Sequence, residues 1–289
     1  MTTTPPDPTP TPPAADRRAA DAGAVVALKA GEHVKSRLAP LPQPLRRRLA
    51  WTMAVDTLAV LRAALATVHV VSDQPALQDR LARAGLGDVV VVPEGRPSGM
   101  NEALRRGTDT LRSAGVGRVL ACVGDLPALR PASVAAVLAG SAPFARSYVA
   151  DATGVGTTML VAGPDVALAP HFQGRSAAAH HSSGAVPLTD ERLGSPVPDA
   201  RRDVDTEVDL LDATGLGAGP ATRALLSPAD GRLGAYAVVT TTGRGRAVTT
   251  DGVRVELADD RLADGLRAPR PGQRLHAVLA GTEVLSAWL

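Results

Sequence analysis

Short apolar runs alternate with longer stretches of helical spacing along the first half of the chain. Four runs have the pattern of strands buried on both faces of a sheet: 24–28, 67–71, 89–92 and 119–123. Between them, four stretches favour helices: 45–66, 75–84, 98–111 and 131–138. This alternation predicts an α/β fold with a mostly parallel, doubly wound sheet and right-handed crossovers.

The pattern changes after residue 140. Residues 148–150 and 157–161 are typical of strands and are joined by a glycine-bearing loop, which predicts a hairpin-like insertion. Further along, Thr206 and Asp209 have the spacing of an approximate capping box, which predicts a helix to about Ala213.

A second change of composition falls at residues 228–231, beyond which helical spacing largely disappears. Five short apolar runs follow: 235–240, 246–249, 253–257, 275–279 and 283–287. Asp251-Gly252 between two of them is a strong hairpin signal. We therefore predict a small β-barrel of the OB or cold-shock type over 228–289. The main domain is then 24–227, preceded by a disordered, Thr/Pro-rich tail over 1–23 that lacks the pattern of a signal peptide.

The composition is that of a globular protein with a sizeable core: 289 residues, 45% hydrophobic and 21% charged. The net charge of +2 gives no reason to expect a nucleic-acid or membrane partner. No apolar run approaches the roughly eighteen residues of a membrane-spanning helix. The single cysteine, Cys122, excludes an internal disulfide, and we expect a reducing, cytoplasmic compartment.

Two acidic motifs are the strongest candidates for chemistry. Asp125, in Gly-Asp-Leu-Pro, directly follows the run 119–123, where a carboxylate would point into the ligand crevice of an α/β sheet. Asp203 and Asp205 flank Val204, so on an extended segment they share one face. Each motif alone also fits a turn or a helix cap. If the second folds beside the first, their hard oxygen ligands suit a Mg²⁺ that also binds phosphate oxygens.

A basic loop follows the first predicted strand. Lys29, Lys35 and Arg37 suit a triphosphate, although a solvated basic loop has the same composition. The GxxxxGK[ST] pattern is missing, which excludes a Walker-type phosphate loop. Asn101 fits either a base contact or a helix cap.

A third group of polar residues lies between 154 and 181. Thr157 follows two glycines that would allow close approach of a ligand, and Ser176 suits an anion contact at a helix start. Three of the six histidines lie in the segment 171–181. Because no cysteine accompanies them, we expect surface or phosphate-contacting roles rather than a zinc site. Since no GxSxG motif is present, the chain favours attack by a substrate oxygen over covalent catalysis.

Several segments taken in order resemble one family, the phospholactate/phosphoenolpyruvate guanylyltransferases of coenzyme F-420 (deazaflavin) biosynthesis. The matching segments are Val25-Val26-Ala27-Leu28-Lys29, Lys35-Ser36-Arg37-Leu38-Ala39, Met100-Asn101, Gly124-Asp125-Leu126-Pro127-Ala128-Leu129, Gly156-Thr157, His171-Phe172 and Asp203-Val204-Asp205-Thr206. The resemblance covers residues 24 to about 225.

The resemblance implies a glycosyltransferase-A-like (Rossmann-like) nucleotidyltransferase fold that uses GTP, Mg²⁺ and a three-carbon phosphate acceptor, expected to be phosphoenolpyruvate. It implies catalytic cations at Lys29, Lys35 and Arg37. It implies metal ligands at Asp125 and at Asp203 or Asp205. It implies nucleotide contacts from Lys29, Arg37 and Asn101, and acceptor contacts from Thr157, Gln173 and Ser176. Gln173 replaces the family's usual glycine, and Ala179 replaces a common arginine that Arg175 would compensate.

Other functions stay open at this stage. In one alternative the chemistry is the same, but the acceptor is 2-phospho-L-lactate or another small phosphate. In a second alternative the protein is a non-catalytic adaptor that binds a nucleotide or RNA. The predicted barrel has only Tyr236 and Trp288 as stacking aromatics, so we expect a structural or assembly role rather than nucleic-acid binding. A homo-oligomer is compatible with the sequence.

Overall fold

The computed structural model describes residues 19–28, 38, 43–95, 99–226, 235–262, 266 and 269–288. Their helices are α1 (Gln43–Ala64), α2 (Leu77–Arg83), α3 (Met100–Ser113), α4 (Pro131–Ser141), α5 (Ser176–Ser182), α6 (Asp190–Leu193), α7 (Pro198–Arg201), α8 (Glu207–Leu216) and α9 (Pro220–Leu226). Their strands are β1 (Ala19–Ala27), β2 (Leu65–Val71), β3 (Val90–Val92), β4 (Arg118–Cys122), β5 (Arg146–Ala150), β6 (Thr157–Ala162), β7 (Val186–Pro187), β8 (Ala235–Gly243), β9 (Arg246–Thr249), β10 (Arg254–Glu256), β11 (Arg274–Ala280) and β12 (Glu283–Trp288).

Strands β1 to β7 form one sheet in the order β3-β2-β1-β4-β6-β5-β7. The first four are mutually parallel, as the alternating pattern predicted. Strand β1 begins at Ala19, five residues before its predicted start. The order reverses between β1 and β4, and ligands bind beyond the carboxyl ends of strands at such a point.

The predicted hairpin-like insertion is instead part of the main sheet. Strand β6 lies between β4 and β5 and is antiparallel to both. Every residue of β6 is buried, which requires neighbours on both edges and layers on both faces. The apolar run alone could not reveal this central position, because it predicts burial but not strand order.

Two apolar layers cover the sheet. On one face, Val26 and Cys122 pack with residues of α1 and α4. On the other face, Val25 and Ala121 pack with residues of α3. Consecutive residues of β1 and β4 thus face opposite layers, which explains why these strands read as unbroken apolar runs.

Strands β8 to β12 form a closed barrel in the order β10-β12-β11-β8-β9, which confirms the predicted barrel. Its third and fifth strands pair in parallel and its other pairs are antiparallel, the connectivity of the five-stranded OB fold. Gly252 turns between β9 and β10 with φ +88°, as the Asp-Gly signal predicted. Strand β8 packs against α8 of the main domain. Within the described ranges, no helix is long and apolar enough to cross a membrane.

Candidate active site

Asp125 lies at the point where the strand order reverses. Val123, directly after β4, is still hydrogen-bonded to the neighbouring strand β6, because its backbone N–H donates to the carbonyl of Thr158 at 2.9 Å. The chain then leaves the sheet through Gly124, where an added Cβ would lie 2.7 Å from Leu28 Cδ2. The carboxyl ends of β1 and β4 therefore approach each other closely, and the half-buried Asp125 follows at once. This is the crevice that the sequence predicted for Asp125.

The second acidic run lies beside the first. The backbone N–H of Val204 donates to the carbonyl of Asp125 at 3.1 Å. Val204 is fully buried, and the side chains of Asp203 and Asp205 on either side of it are half-buried. This backbone hydrogen bond brings the two acidic segments together, as a shared site requires, although they are about eighty residues apart in the chain.

The helix that follows holds this acidic run in place. Thr206 and Asp209 form a capping box, in which the Thr206 side chain accepts from the Asp209 N–H and the Asp209 carboxylate accepts from the Thr206 N–H. That carboxylate also accepts from the N–H of Asp205 at 3.2 Å and pairs with Arg202 at 2.9 Å. Burial raises the pKa of Asp209, but these bonds outweigh it and hold the pKa below its ordinary value. The predicted cap is confirmed, and it fixes the backbone at Asp205.

The three predicted cations fall in a part of the chain that the structure does not describe. They are Lys29, Lys35 and Arg37. The residues on either side of that segment are described. Leu28 donates its N–H to Val71 and accepts from the Ser72 hydroxyl at 2.6 Å, which fixes the end of β1.

At the other end, Leu38 anchors the chain close to the acidic residues. Leu38 is fully buried in a cluster that includes Ala128 and Val204. The first of these follows the Gly-Asp-Leu-Pro motif, and the second lies between the two later aspartates. The two described residues that flank the basic segment therefore both lie beside the acidic crevice, and the roles of Lys29, Lys35 and Arg37 stay predictions.

Thr157 begins β6 at the end of a tightly ordered loop. The carboxylate of Asp151 accepts from the backbone N–H groups of Thr153 and Val155 at 3.1 and 3.0 Å. A Cβ at Gly156 would lie 2.5 Å from Asp151 Oδ2, so the glycine makes room for this carboxylate. The sequence suggested that the glycine makes room for a ligand, whereas the structure places an aspartate of the same loop there.

His180 connects this loop to the segment 171–176. Its ring is completely buried, with Nδ1 2.9 Å from Thr157 Oγ1 and Nε2 accepting the backbone N–H of His171 at 2.8 Å. Burial, followed by the nearby charges of His171 and Arg146, lowers the pKa of His180 to about 4, although a hydrogen bond to the backbone carbonyl of Ser176 acts in the opposite direction. The expectation of surface or phosphate-contacting histidines is therefore wrong for His180. His171 and His181 are exposed, as expected.

Asn101 holds the same segment from the other side. Its Nδ2 donates to the carbonyl of Phe172 at 3.1 Å, and its Oδ1 accepts the Phe172 N–H at 2.8 Å. Gln173 follows with φ +85° and an exposed side chain, and Ser176 is buried at the start of α5. The structure thus gives Asn101 a backbone-binding role that the sequence did not reveal. Its nucleotide role stays a prediction.

Comparison with known proteins identifies the family. The chain is 44% identical over 210 residues to a phosphoenolpyruvate guanylyltransferase of Salinispora arenicola, covering 71% of this chain and 93% of that protein. It is 43% identical to a phosphoenolpyruvate guanylyltransferase of Thermomonospora curvata, covering 76% and 93%. The chain belongs to the phosphoenolpyruvate guanylyltransferase family. It is a nucleotidyltransferase, as the resemblance implied.

The fold has a counterpart among solved structures. A protein of Desulfovibrio desulfuricans G20, named as a nucleotide-diphospho-sugar transferase, aligns with a TM-score of 0.53 and 15% identity, covering 72% of this chain and 94% of that one. This likeness supports the predicted nucleotidyltransferase-like fold. No family model matches the chain. Both named guanylyltransferases are matched almost completely, whereas about a quarter of this chain lies outside each match.

The environment of Cys122 agrees with chemistry that does not use a thiol. Cys122 is completely buried in β4. Burial, and secondly the charge of Asp125, raise the pKa of its thiol. A buried thiol with a raised pKa is a poor nucleophile. Within the described ranges, no group of three or more His, Cys, Asp or Glu residues is arranged to hold a metal ion.

Proposed function

We propose that this protein is a cytoplasmic enzyme of coenzyme F-420 biosynthesis that transfers GMP from GTP to phosphoenolpyruvate. The products would be enolpyruvyl-diphospho-5'-guanosine and pyrophosphate. The observation that carries the proposal is the hydrogen bond from the Val204 N–H to the Asp125 carbonyl, which joins two acidic runs at the carboxyl edge of the sheet. Relatives named for phosphoenolpyruvate guanylyl transfer support the choice of substrates.

The reaction is an in-line displacement at phosphorus. A phosphate oxygen of phosphoenolpyruvate attacks the α-phosphorus of GTP. The bond between the α-phosphorus and the oxygen that joins it to the β-phosphorus breaks. Pyrophosphate leaves with the bonding electrons. Because the attacking phosphate is already ionised near neutral pH, the step needs no general base, and catalysis consists of positioning and charge stabilisation.

Mg²⁺ fits the residues at the crevice. Asp125, Asp203 and Asp205 supply hard carboxylate oxygens on two segments joined by a backbone hydrogen bond. Proteins usually hold Mg²⁺ with one or two carboxylates together with substrate phosphates. We propose Asp125 with Asp203 or Asp205 as the ligands. When bound, the ion would neutralise phosphate oxygens.

The basic segment would bring two anionic substrates together. We propose that Lys29, Lys35 and Arg37 bind the triphosphate and lower the repulsion between it and the acceptor. The flanking residues support this, because the half-buried Leu28 and the fully buried Leu38 both lie beside the acidic crevice. For Asn101, each polar atom retains capacity beyond its bond to Phe172, so the same amide can also bind the guanine base.

We propose that the acceptor is held by Thr157, Ser176 and the backbone at Gln173. The positive φ of Gln173 belongs to the region that glycine favours, which accounts for the glycine usual in the family at this position. Since the Gln173 side chain is exposed, a backbone contact with the acceptor survives the replacement.

Pyrophosphate release tests the proposed function. The full chain is incubated with GTP, Mg²⁺ and either phosphoenolpyruvate or 2-phospho-L-lactate, and the product is identified by mass spectrometry. We expect release with phosphoenolpyruvate and a product of the mass of enolpyruvyl-diphospho-5'-guanosine. Preference for 2-phospho-L-lactate would change the acceptor. No pyrophosphate with any phosphorylated three-carbon acid would refute the enzyme assignment.

A paired substitution tests the proposed metal ligand. Asp125→Asn should lower kcat by roughly 10²–10³-fold, because it removes a carboxylate that is proposed to hold the Mg²⁺ that would neutralise the phosphate oxygens. Asp109→Asn is the matched control, since Asp109 is exposed on α3. If Asp125→Asn is as active as this control, the assigned crevice is wrong.

A further inference from the structure

The buried imidazole of His180 contacts two parts of the proposed acceptor site at once. Nδ1 lies 2.9 Å from the hydroxyl of Thr157, and Nε2 accepts the backbone N–H of His171 at 2.8 Å. The ring also packs edge-on against Phe172, with ring centroids 5.1 Å apart. Because His180 is completely buried, it does not touch a bound substrate.

The contact with His171 determines which nitrogen carries the proton. A backbone N–H can only donate, so Nε2 must present a lone pair and be unprotonated. The single proton of the neutral ring is then on Nδ1, and Nδ1 donates to Thr157 Oγ1. The backbone bond to Ser176 raises the pKa of this ring, so the Ser176 carbonyl accepts from the ring N–H, which agrees with a proton on Nδ1.

This tautomer determines what the Thr157 hydroxyl can do. The oxygen accepts from Nδ1–H, so the hydroxyl hydrogen is directed away from the ring and is available as a donor. An acceptor that carries phosphate and carboxylate groups offers only oxygen lone pairs to such a hydroxyl. A histidine with the opposite tautomer would instead take up the hydroxyl hydrogen.

We propose that His180 is a positioning residue that fixes the Thr157 hydroxyl as a hydrogen-bond donor to the anionic oxygens of the acceptor. The inference rests on the proposed function for the identity of the acceptor. The same ring fixes the N–H of His171, next to the Phe172 backbone that Asn101 holds. His180 therefore joins the strand that carries Thr157 to the turn that carries Gln173.

Two substitutions separate the two hydrogen bonds of the ring. His180→Asn keeps a donor at the position of Nδ1 and loses the acceptor for His171. His180→Gln keeps an acceptor at the position of Nε2 and loses the donor to Thr157. His181→Gln is the matched control, because His181 is the exposed neighbour on the same helix.

Steady-state kinetics with GTP and phosphoenolpyruvate then test the role. We expect His180→Gln to raise the KM for phosphoenolpyruvate about tenfold or more. The KM for GTP should stay within about twofold, and His180→Asn should restore most of the acceptor KM. In a Thr157→Val background, His180→Gln should add nothing further. Equal effects of both His180 variants on both KM values, or no effect of either, would overturn the inference.

A spectroscopic measurement keeps the inference separate from the proposed function. Nitrogen-15 NMR of the histidine rings in the full chain reports the tautomer, and the signals of His180 are assigned by their loss in His180→Gln. We expect a proton on Nδ1 and none on Nε2 at neutral pH. A proton on Nε2 overturns the inference whatever the activity, whereas a wild-type enzyme inactive with every acceptor contradicts only the proposed function.

Discussion

The buried His180 makes a definite prediction about stability and pH. Its pKa falls from an ordinary value of 6.5 to about 4 in the folded protein, first because burial disfavours the charged ring and then because of the charges of His171 and Arg146. The unfolded chain therefore binds a proton at His180 more readily than the folded protein does. The contribution of the neutral His180 ring to stability is fully present above about pH 6.5 and is lost as the pH falls toward 4.

The size of the effect follows from the same two values. One pKa unit corresponds to about 1.4 kcal/mol. For a shift from 6.5 to about 4, the protonation of His180 should lower the free energy of unfolding by about 2 kcal/mol between pH 7.5 and pH 5. At pH 4 it reaches about 3 kcal/mol. The complete burial of the ring justifies treating the shift as a stability term.

Urea unfolding of matched variants measures this term. Wild type, His180→Gln and His181→Gln are unfolded at pH 7.5 and pH 5, and the change in unfolding free energy is compared. Other titrating groups, such as Glu207, whose pKa burial raises, are common to all three proteins and cancel. We expect wild type and His181→Gln to lose about 2 kcal/mol more than His180→Gln. Parallel losses in all three proteins would refute the reasoning.

Other predictions concern the ligands, the turn and the barrel. Of Asp203→Asn and Asp205→Asn, the variant that removes a metal ligand should raise the Mg²⁺ concentration for half-maximal activity about tenfold, and equal, unchanged Mg²⁺ titrations would contradict the assignment of the acidic run. Asn101→Ala should raise the KM for both substrates, because the amide holds Phe172 and is proposed to bind guanine; an unchanged KM for GTP would exclude the nucleotide role. Gln173→Gly should increase the unfolding free energy by about 1 kcal/mol in urea titrations, since φ is +85°, and a decrease would contradict this. Deletion of residues 229–289 should leave kcat within about threefold, because the proposed site belongs to the main sheet, and a folded but inactive truncated chain would assign the barrel a catalytic role.

The parts of the fold that depend on local pattern were predictable from the sequence. Apolar runs located strands β1 to β4, most clearly β1 and β4, whose residues pack into apolar layers on both faces of the sheet. The capping box at Thr206 and the turn at Gly252 were predicted because backbone geometry at those points demands particular residues. The position of Asp125 followed in the same way, from a carboxylate placed directly after a buried strand.

Features that depend on contacts between distant segments were not predictable. The sequence predicted a hairpin-like insertion, but β6 lies between β4 and β5 in the main sheet, because no local pattern encodes strand order. The sequence did not distinguish His180 from the neighbouring histidines. Its burial and tautomer depend on contacts with Thr157 and with the backbone of His171, which lie elsewhere in the chain. Gly156 was correctly seen as a position of close approach, but the group that approaches is the Asp151 carboxylate.

The central claim is that GMP from GTP is joined to the phosphate of phosphoenolpyruvate. Parallel reactions with GTP labelled at the α- or the γ-phosphorus, followed by separation of the products, test it most directly. The account predicts that the α-label appears in a compound that also contains the enolpyruvyl group, and that the γ-label appears in pyrophosphate. Release of the γ-label as inorganic phosphate, with the α-label retained in GDP, would contradict it.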